Sequence, residues 1–265
     1  MINREMHLIE DLKNPKLAAM RDGYGEGLVE AGKRNERVVV LVADLTESTR
    51  TDLFKAEFPE RFFEMGISEQ NMMGMAAGMA ATGKVPFVNS YACFNPGRNW
   101  EQMRFSVCLS GNNVKVIGAH AGFGNGTDGG NQQMFEDIAL TRVLPHLTVV
   151  VPADYDQAKK MTLAIADFSG PVYLRMTKPK RAAVTTIGTP LTIGKAQILR
   201  SGKDVSVFAC GAMVYEALVA AEELANEIDV EVINVHTIKP LDKETILQSA
   251  AKTKKVITAE EHSII

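Results

Sequence analysis

Val38-Val39-Val40-Leu41-Val42-Ala43-Asp44 runs through five consecutive large apolar residues and then stops on an alanine and a carboxylate. A strand with one wet face alternates apolar and polar residues. A strand that is apolar at every position is covered on both faces, as strands of a parallel sheet are. Runs nearly continuous in apolar residues also stand at Val85 to Ser90, Val114 to Ala119, Leu147 to Val151 and Val172 to Arg175. Helical spacing fills the intervals, at Pro15 to Lys33, Glu69 to Thr82, Arg98 to Leu109, Phe135 to Val143 and Tyr155 to Phe168. Ser68 ahead of Glu69, and Asp154 after Pro152, are of the types that cap helix N-termini. Strand and helix in alternation predict an α/β fold, a parallel sheet flanked by helices.

Between Lys178 and Pro190 the rhythm breaks on Pro179, Gly188, Pro190 and several threonines, in the manner of a linker. Beyond it, Val205 to Ala209, Met213 to Ile228, Val230 to Val235, Lys243 to Ala251 and Val256 to Ala259 spell a second, smaller α/β unit. The expected division is a first domain over 1–182, a linker over 183–190 and a second domain over 191–265. Ile265 follows directly on a strand and the polar group Glu260-Glu261-His262, with no helix to close over that strand. The second domain is therefore expected to be incomplete.

The length, with 46% hydrophobic and 23% charged residues, suits a buried core and excludes disorder, collagen and coiled coil. A net charge of -3 with both signs scattered offers no basic stripe, so nucleic acid is not an expected partner. No window approaches the roughly 20 apolar residues of a membrane span, and Arg4, Glu5, Glu10 and Asp11 are unlike a leader, so no membrane partner is expected. Cys93, Cys108 and Cys210 lack the paired spacing of a zinc site or disulfide framework, which predicts a reducing, cytoplasmic setting and inert core thiols.

Three segments carry chemistry. In Gly66-Ile67-Ser68-Glu69-Gln70-Asn71, Glu69 falls in the first turn of a helix, where the helix dipole favours a negative charge. A surface dipole partner is one reading. The following Met72, Met73, Gly74, Ala76, Ala77, Gly78 and Ala80 are small or apolar almost all round, predicting a buried helix, with Glu69 in the crevice at the end of the sheet. In Tyr91-Ala92-Cys93-Phe94-Asn95-Pro96-Gly97-Arg98, Tyr91 and Phe94 follow a strand and precede a helix. They are either core aromatics or a platform for a flat ring at the same sheet edge. Third, His120 opens a glycine-rich stretch through Asp128, Gly129, Gln132 and Gln133, whose glycine spacing does not match a dinucleotide loop.

Gly66 to Asn71 with its Gly/Ala-rich helix resembles the pyrimidine-binding domain of transketolases. The resemblance runs from about Pro15 to the last residue and extends into the family's C-terminal domain. It implies thiamine diphosphate as cofactor. Glu69 then bonds a ring nitrogen of the aminopyrimidine and exchanges a proton with it, so that the exocyclic nitrogen can deprotonate the thiazolium carbon. Phe94 and Tyr91 pack on the pyrimidine, and Asp44 also lies in the cofactor site. His120 contacts the sugar. Asp128, Gly129 and Gln133 match the family's Asp-Gly-x-x-His-Gln element, but Gln132 stands where the family has a second histidine, so an amide that can only hydrogen-bond replaces an imidazole. Ala43 to Thr49 resembles the family's Asp-Leu-x-x-Ser loop, and Arg21, Ser48, His120 and Lys178 would line a cationic pocket for a sugar phosphate. Lys178 replaces a more usual arginine, a point charge instead of a fork.

The diphosphate site of such enzymes, a Gly-Asp-Gly with a downstream Asn holding Mg2+, is not found in this sequence. The resemblance then implies an N-terminal transketolase subunit as partner, supplying most of the diphosphate and Mg2+ contacts, in an α2β2 heterotetramer. The implied reaction moves a two-carbon ketol unit between sugar phosphates, as in the pentose phosphate pathway. Three alternatives stay open: a 2-oxo-acid dehydrogenase beta subunit, a deoxyxylulose-phosphate synthase, and a non-catalytic assembly subunit.

Overall fold

The apolar runs become strands in a computed structural model that describes residues 1–265. In chain order the strands are β1 (Leu17–Ala19), β2 (Val38–Val42), β3 (Phe62–Glu64), β4 (Val85–Tyr91), β5 (Lys115–Ala119), β6 (Thr148–Val150), β7 (Val172–Arg175), β8 (Lys180–Ala182), β9 (Gln197–Arg200), β10 (Val205–Ala209), β11 (Val230–Asn234), β12 (Thr237–Lys239) and β13 (Val256–Ala259). A seven-stranded sheet has the order β3-β2-β4-β5-β7-β6-β12, parallel throughout except for β12, which runs antiparallel to β6. Every residue of β2, β4, β5, β6 and β7 is buried, as strands covered on both faces require, including the polar Asn89, Ser90, Lys115, Thr148 and Arg175.

Each face of this sheet has its own core. Helices Met20–Arg34 and Tyr155–Asp167 cover one face through Tyr24, Leu28, Met161 and Ile165. They cross so closely that a Cβ on Gly23 would lie 2.2 Å from the Tyr155 carbonyl oxygen. Helix Glu69–Ala81 and the π-helix Met103–Leu109 cover the other through Met72, Met73, Met103 and Val107. The second sheet has the order β13-β10-β11-β9, with β10 parallel to both β11 and β13. Its edge strand β13 leaves Val256 and Ile257 about half exposed, at 50% and 53%.

The two units exchange chain. Residues Ile2, Met6, Leu8 and Leu12 pack on the core of the second unit, and Asn3 N–H donates to Leu199 O at 2.9 Å. In return β12 extends the first sheet. The stretch expected as a linker is held down: one oxygen of Asp154 accepts from the N–H groups of Val184 at 2.7 Å and Thr185 at 2.6 Å.

Several local expectations change. Pro15 to Lys33 starts as strand β1, paired with β8, and turns helical only at Met20; three-residue strands are too short to show a period. Asp154 caps its helix by accepting from Gln157 N–H at 2.9 Å. Ser68 does not cap its own: its hydroxyl donates back to Met65 O at 2.6 Å. Nor is helix Glu69–Ala81 buried all round, since Gln70, Asn71, Gly74, Met75 and Gly78 are exposed. Small residues there reflect a face left uncovered, which composition cannot distinguish from close packing.

Candidate functional site

A parallel sheet sends all its carboxyl-end loops to one edge, and ligands of such folds bind there. Asp44 and Ser48 follow β2, Glu69 follows β3, Tyr91 ends β4 with Phe94 just beyond, His120 follows β5 and Lys178 follows β7. Residues far apart in sequence therefore share one edge.

Glu64, the last residue of β3, ties the first two loops together. Its Oε1 accepts from Asp44 N–H at 2.8 Å and Gly66 N–H at 3.2 Å, and its Oε2 from the Thr46 hydroxyl at 2.9 Å. Asp44 has a left-handed backbone, φ 54°, and an exposed side chain. The loop after β4 is fixed by two asparagines. Asn95 Nδ2 bonds the carbonyls of Val88 at 3.0 Å and Ile117 at 2.9 Å. Asn99 Nδ2 bonds Asn95 Oδ1 at 3.0 Å and the Glu69 carbonyl at 3.2 Å. Gly97 is required between them, because a Cβ there would sit 2.0 Å from Cys93 O.

Glu69 is 2% exposed, and its Oε2 accepts from Arg98 Nη1 at 3.0 Å. The Arg98 guanidinium lies over the Phe94 ring, 4.6 Å from its centroid. Phe94 stacks with Tyr91 at 6.2 Å and 16°, and Tyr91 with His120 at 4.0 Å and 27°. A row of flat groups thus runs from Glu69 to His120.

His120 is 1% exposed, with φ 60°, and neither ring nitrogen has a partner. Burial, reinforced by the Arg21 and Lys178 charges and opposed by Asp128, pushes its pKa down to about 3. It is a neutral imidazole with one donor and one acceptor unspent. Arg21 Nη1 donates to the Ser48 carbonyl at 3.1 Å, while Arg21 Nε, Asn125 Oδ1 and Gln132 Oε1 are buried without partners. Ser48 thus holds Arg21 through its backbone carbonyl. Lys178 is not a free cation: its Nζ donates to Asp128 Oδ2 at 2.6 Å and to Asn125 O at 3.1 Å. Buried atoms without partners cost free energy unless a ligand or water meets them, so their clustering marks a polar binding site.

The thiols take no part. Burial pushes Cys93 up to about 11 and both Cys108 and Cys210 up to about 12, so all stay protonated near neutrality. Arg98 escaped sequence reasoning, because only the turn at Gly97 brings it to Glu69. No group of three or more His, Cys, Asp or Glu side chains is placed to hold a metal ion, and no helix is long and apolar enough to cross a membrane. A buried carboxyl beside an aromatic face fits the edge and face of an aminopyrimidine.

Comparison with known proteins gives the same direction. The transketolase pyrimidine-binding domain matches residues 16–182 and the transketolase C-terminal domain matches residues 194–265. The putative transketolase C-terminal section of Methanocaldococcus jannaschii is 47% identical over 249 residues, which is 93% of this chain and 78% of that protein. A 6-deoxy-6-sulfo-D-fructose transketolase subunit of a Clostridium species is 41% identical over 247 residues, covering 93% of this chain and 77% of its own. Human transketolase is 36% identical over 249 residues, but only 40% of its length is matched. A split-gene transketolase solved as an inactive β4 tetramer superposes with a TM-score of 0.86 at 44% identity, over 93% of this chain and 81% of that one. With two of its domains in series, the chain belongs to the transketolase family.

Proposed function

We propose that this chain is the pyrimidine-binding subunit of a two-chain, thiamine-diphosphate-dependent transketolase that transfers a two-carbon ketol unit from a ketose phosphate to an aldose phosphate. The observation that carries it is the buried Glu69 carboxyl at the sheet edge, beside Phe94. Thiamine diphosphate, when bound, supplies the nucleophilic carbon and the electron sink. Glu69 holds and exchanges a proton at a ring nitrogen, and Phe94 and Tyr91 support the ring face, with Asp44 at the rim. His120, neutral and unspent, bonds a sugar hydroxyl. Arg21, Ser48, Asp128, Gln132 and Lys178 line the sugar's path.

The section, subunit and split-gene names of the matched relatives support a partner chain; in the proposed enzyme that partner binds the diphosphate and Mg2+, and the assembly is α2β2. Their transketolase names favour ketol transfer over 2-oxo-acid decarboxylation. A second reading comes from the Lys178–Asp128 pair. With Lys178 neutralised at 2.6 Å, the pocket is poorer in free cations than a phosphate dianion prefers. A singly charged sulfonated sugar, as the Clostridium relative's name describes, fits that balance.

The test is reconstitution with a chain carrying the Gly-Asp-Gly element. Ketol transfer is measured with and without thiamine diphosphate, offering phosphorylated and sulfonated ketoses and a 2-oxo acid. Replacement of Glu69 by Ala is expected to lower transfer about a thousandfold. A fully active Glu69→Ala complex would sink the proposal.

A further inference from the structure

We infer that Arg98 is the chain's own occupant of the aminopyrimidine seat, a side chain that must leave before the cofactor ring settles. This rests on the proposed roles of Glu69 and Phe94. The guanidinium is flat, carries N–H donors in its plane, and meets an aromatic at its face and a carboxylate at its edge. An aminopyrimidine asks for the same two partners in the same relation. Glu69 Oε2 and the Phe94 face therefore cannot serve both at once.

Exposure is distributed to suit such an exchange. Glu69 is 2% exposed, whereas the Arg98 side chain is 47% exposed and swings out at little cost in burial. The occupant also has a reason to be there. An empty seat would leave a buried carboxylate uncompensated, which is costly, so the arginine completes the site until the ring arrives. A ligand that must wait for a minor, open state binds more weakly by the open fraction.

The experiment uses the full chain and the free pyrimidine half of thiamine, 4-amino-5-hydroxymethyl-2-methylpyrimidine. Binding is read from the fluorescence of Trp100, the single tryptophan of the chain, two residues beyond Arg98. Arg98→Ala is expected to bind the probe about tenfold more tightly than the unaltered chain, and to melt at lower temperature without it. Arg98→Lys keeps the charge but loses the fork, safeguards against a poorly folded alanine variant, and should fall between. Equal or weaker binding by both variants overturns the inference, as does the absence of saturable binding in all three; weaker binding would mean that Arg98 positions Glu69 for the ring. Glu69→Gln separates the two levels of argument. If it weakens the probe while the Arg98 variants change nothing, only the occupancy of the seat by Arg98 falls; if it leaves binding untouched, the role given to Glu69 falls as well.

Discussion

Glu69 and Asp137 are both buried acids paired with an arginine, yet one pair is open and the other closed. Asp137 is fully buried, and its Oδ2 accepts from Arg175 Nε at 2.9 Å and from the Tyr173 hydroxyl at 2.8 Å. Burial, with Asp137 close by, pushes Tyr173 well above its ordinary pKa, so its hydroxyl remains a donor. Arg175 is 2% exposed and its Nη2 reaches on to Glu261 O at 2.7 Å, clasping the end of the chain to β7. The partner of Glu69, by contrast, is nearly half in solvent. A pair with both members sealed in resists exchange and serves the fold. A pair with one member at the surface leaves its acid available for chemistry.

The comparison breaks most visibly if the acids trade effects. Glu69→Ala should remove about three orders of magnitude of reconstituted activity while the melting temperature of the chain stays close to that of the parent. Asp137→Ala should do the reverse to stability, costing about 3–5 kcal/mol because Arg175 is left buried and uncompensated. Denaturant unfolding of the two variants side by side would show it, and equal losses would erase the distinction between open and closed pairs.

A smaller effect concerns two buried histidines. His120, at the carboxyl edge of the sheet, is pushed down to about 3, and His236, buried just ahead of β12, to about 4, in both cases chiefly by burial. Both are neutral when folded but protonate near 6.5 when unfolded, so the unfolded chain takes up more protons as the pH falls below 6.5. Stability is then complete above about pH 6.5 and declines towards pH 4, by about 1.4 kcal/mol per pH unit for each histidine. A His120→Gln/His236→Gln chain should show a flatter curve in denaturant unfolding across that window; an unchanged slope would refute the account. The smallest effect is expected at the Lys178–Asp128 pair. Lys178→Met should raise the KM for a phosphorylated ketose about tenfold while Asp128→Asn lowers it, since removal of the acid frees the lysine.

How much of this was written in the sequence depends on the distance over which each feature is decided. β2 is legible to the residue because an unbroken apolar run records burial on both faces locally, and β7 because its apolar Val172 to Leu174 does the same up to Arg175. Glu69 was legible because it lies at a strand-to-helix junction. Arg98 stands in the same stretch as Phe94, but its meeting with Glu69, 29 positions away, depends on a turn that only Gly97 permits, and no local pattern shows it. Lys178 read as a free cation because Asp128 stands 50 positions away, in a loop whose path no local pattern predicts. Domain bounds drawn along the sequence follow neighbourhood in the chain, whereas the packing of β12 and of the N-terminal segment follows neighbourhood in space.

That exchange reaches beyond the drawing of boundaries. With the opening residues of the chain stitched into the rear sheet and β12 stitched into the front one, neither half has a complete wall of its own. A protease cut between 183 and 190 should therefore not release two independently stable pieces. If the ring binds as proposed, its entry at the sheet edge then asks for the swing of Arg98 and not for a parting of the two units.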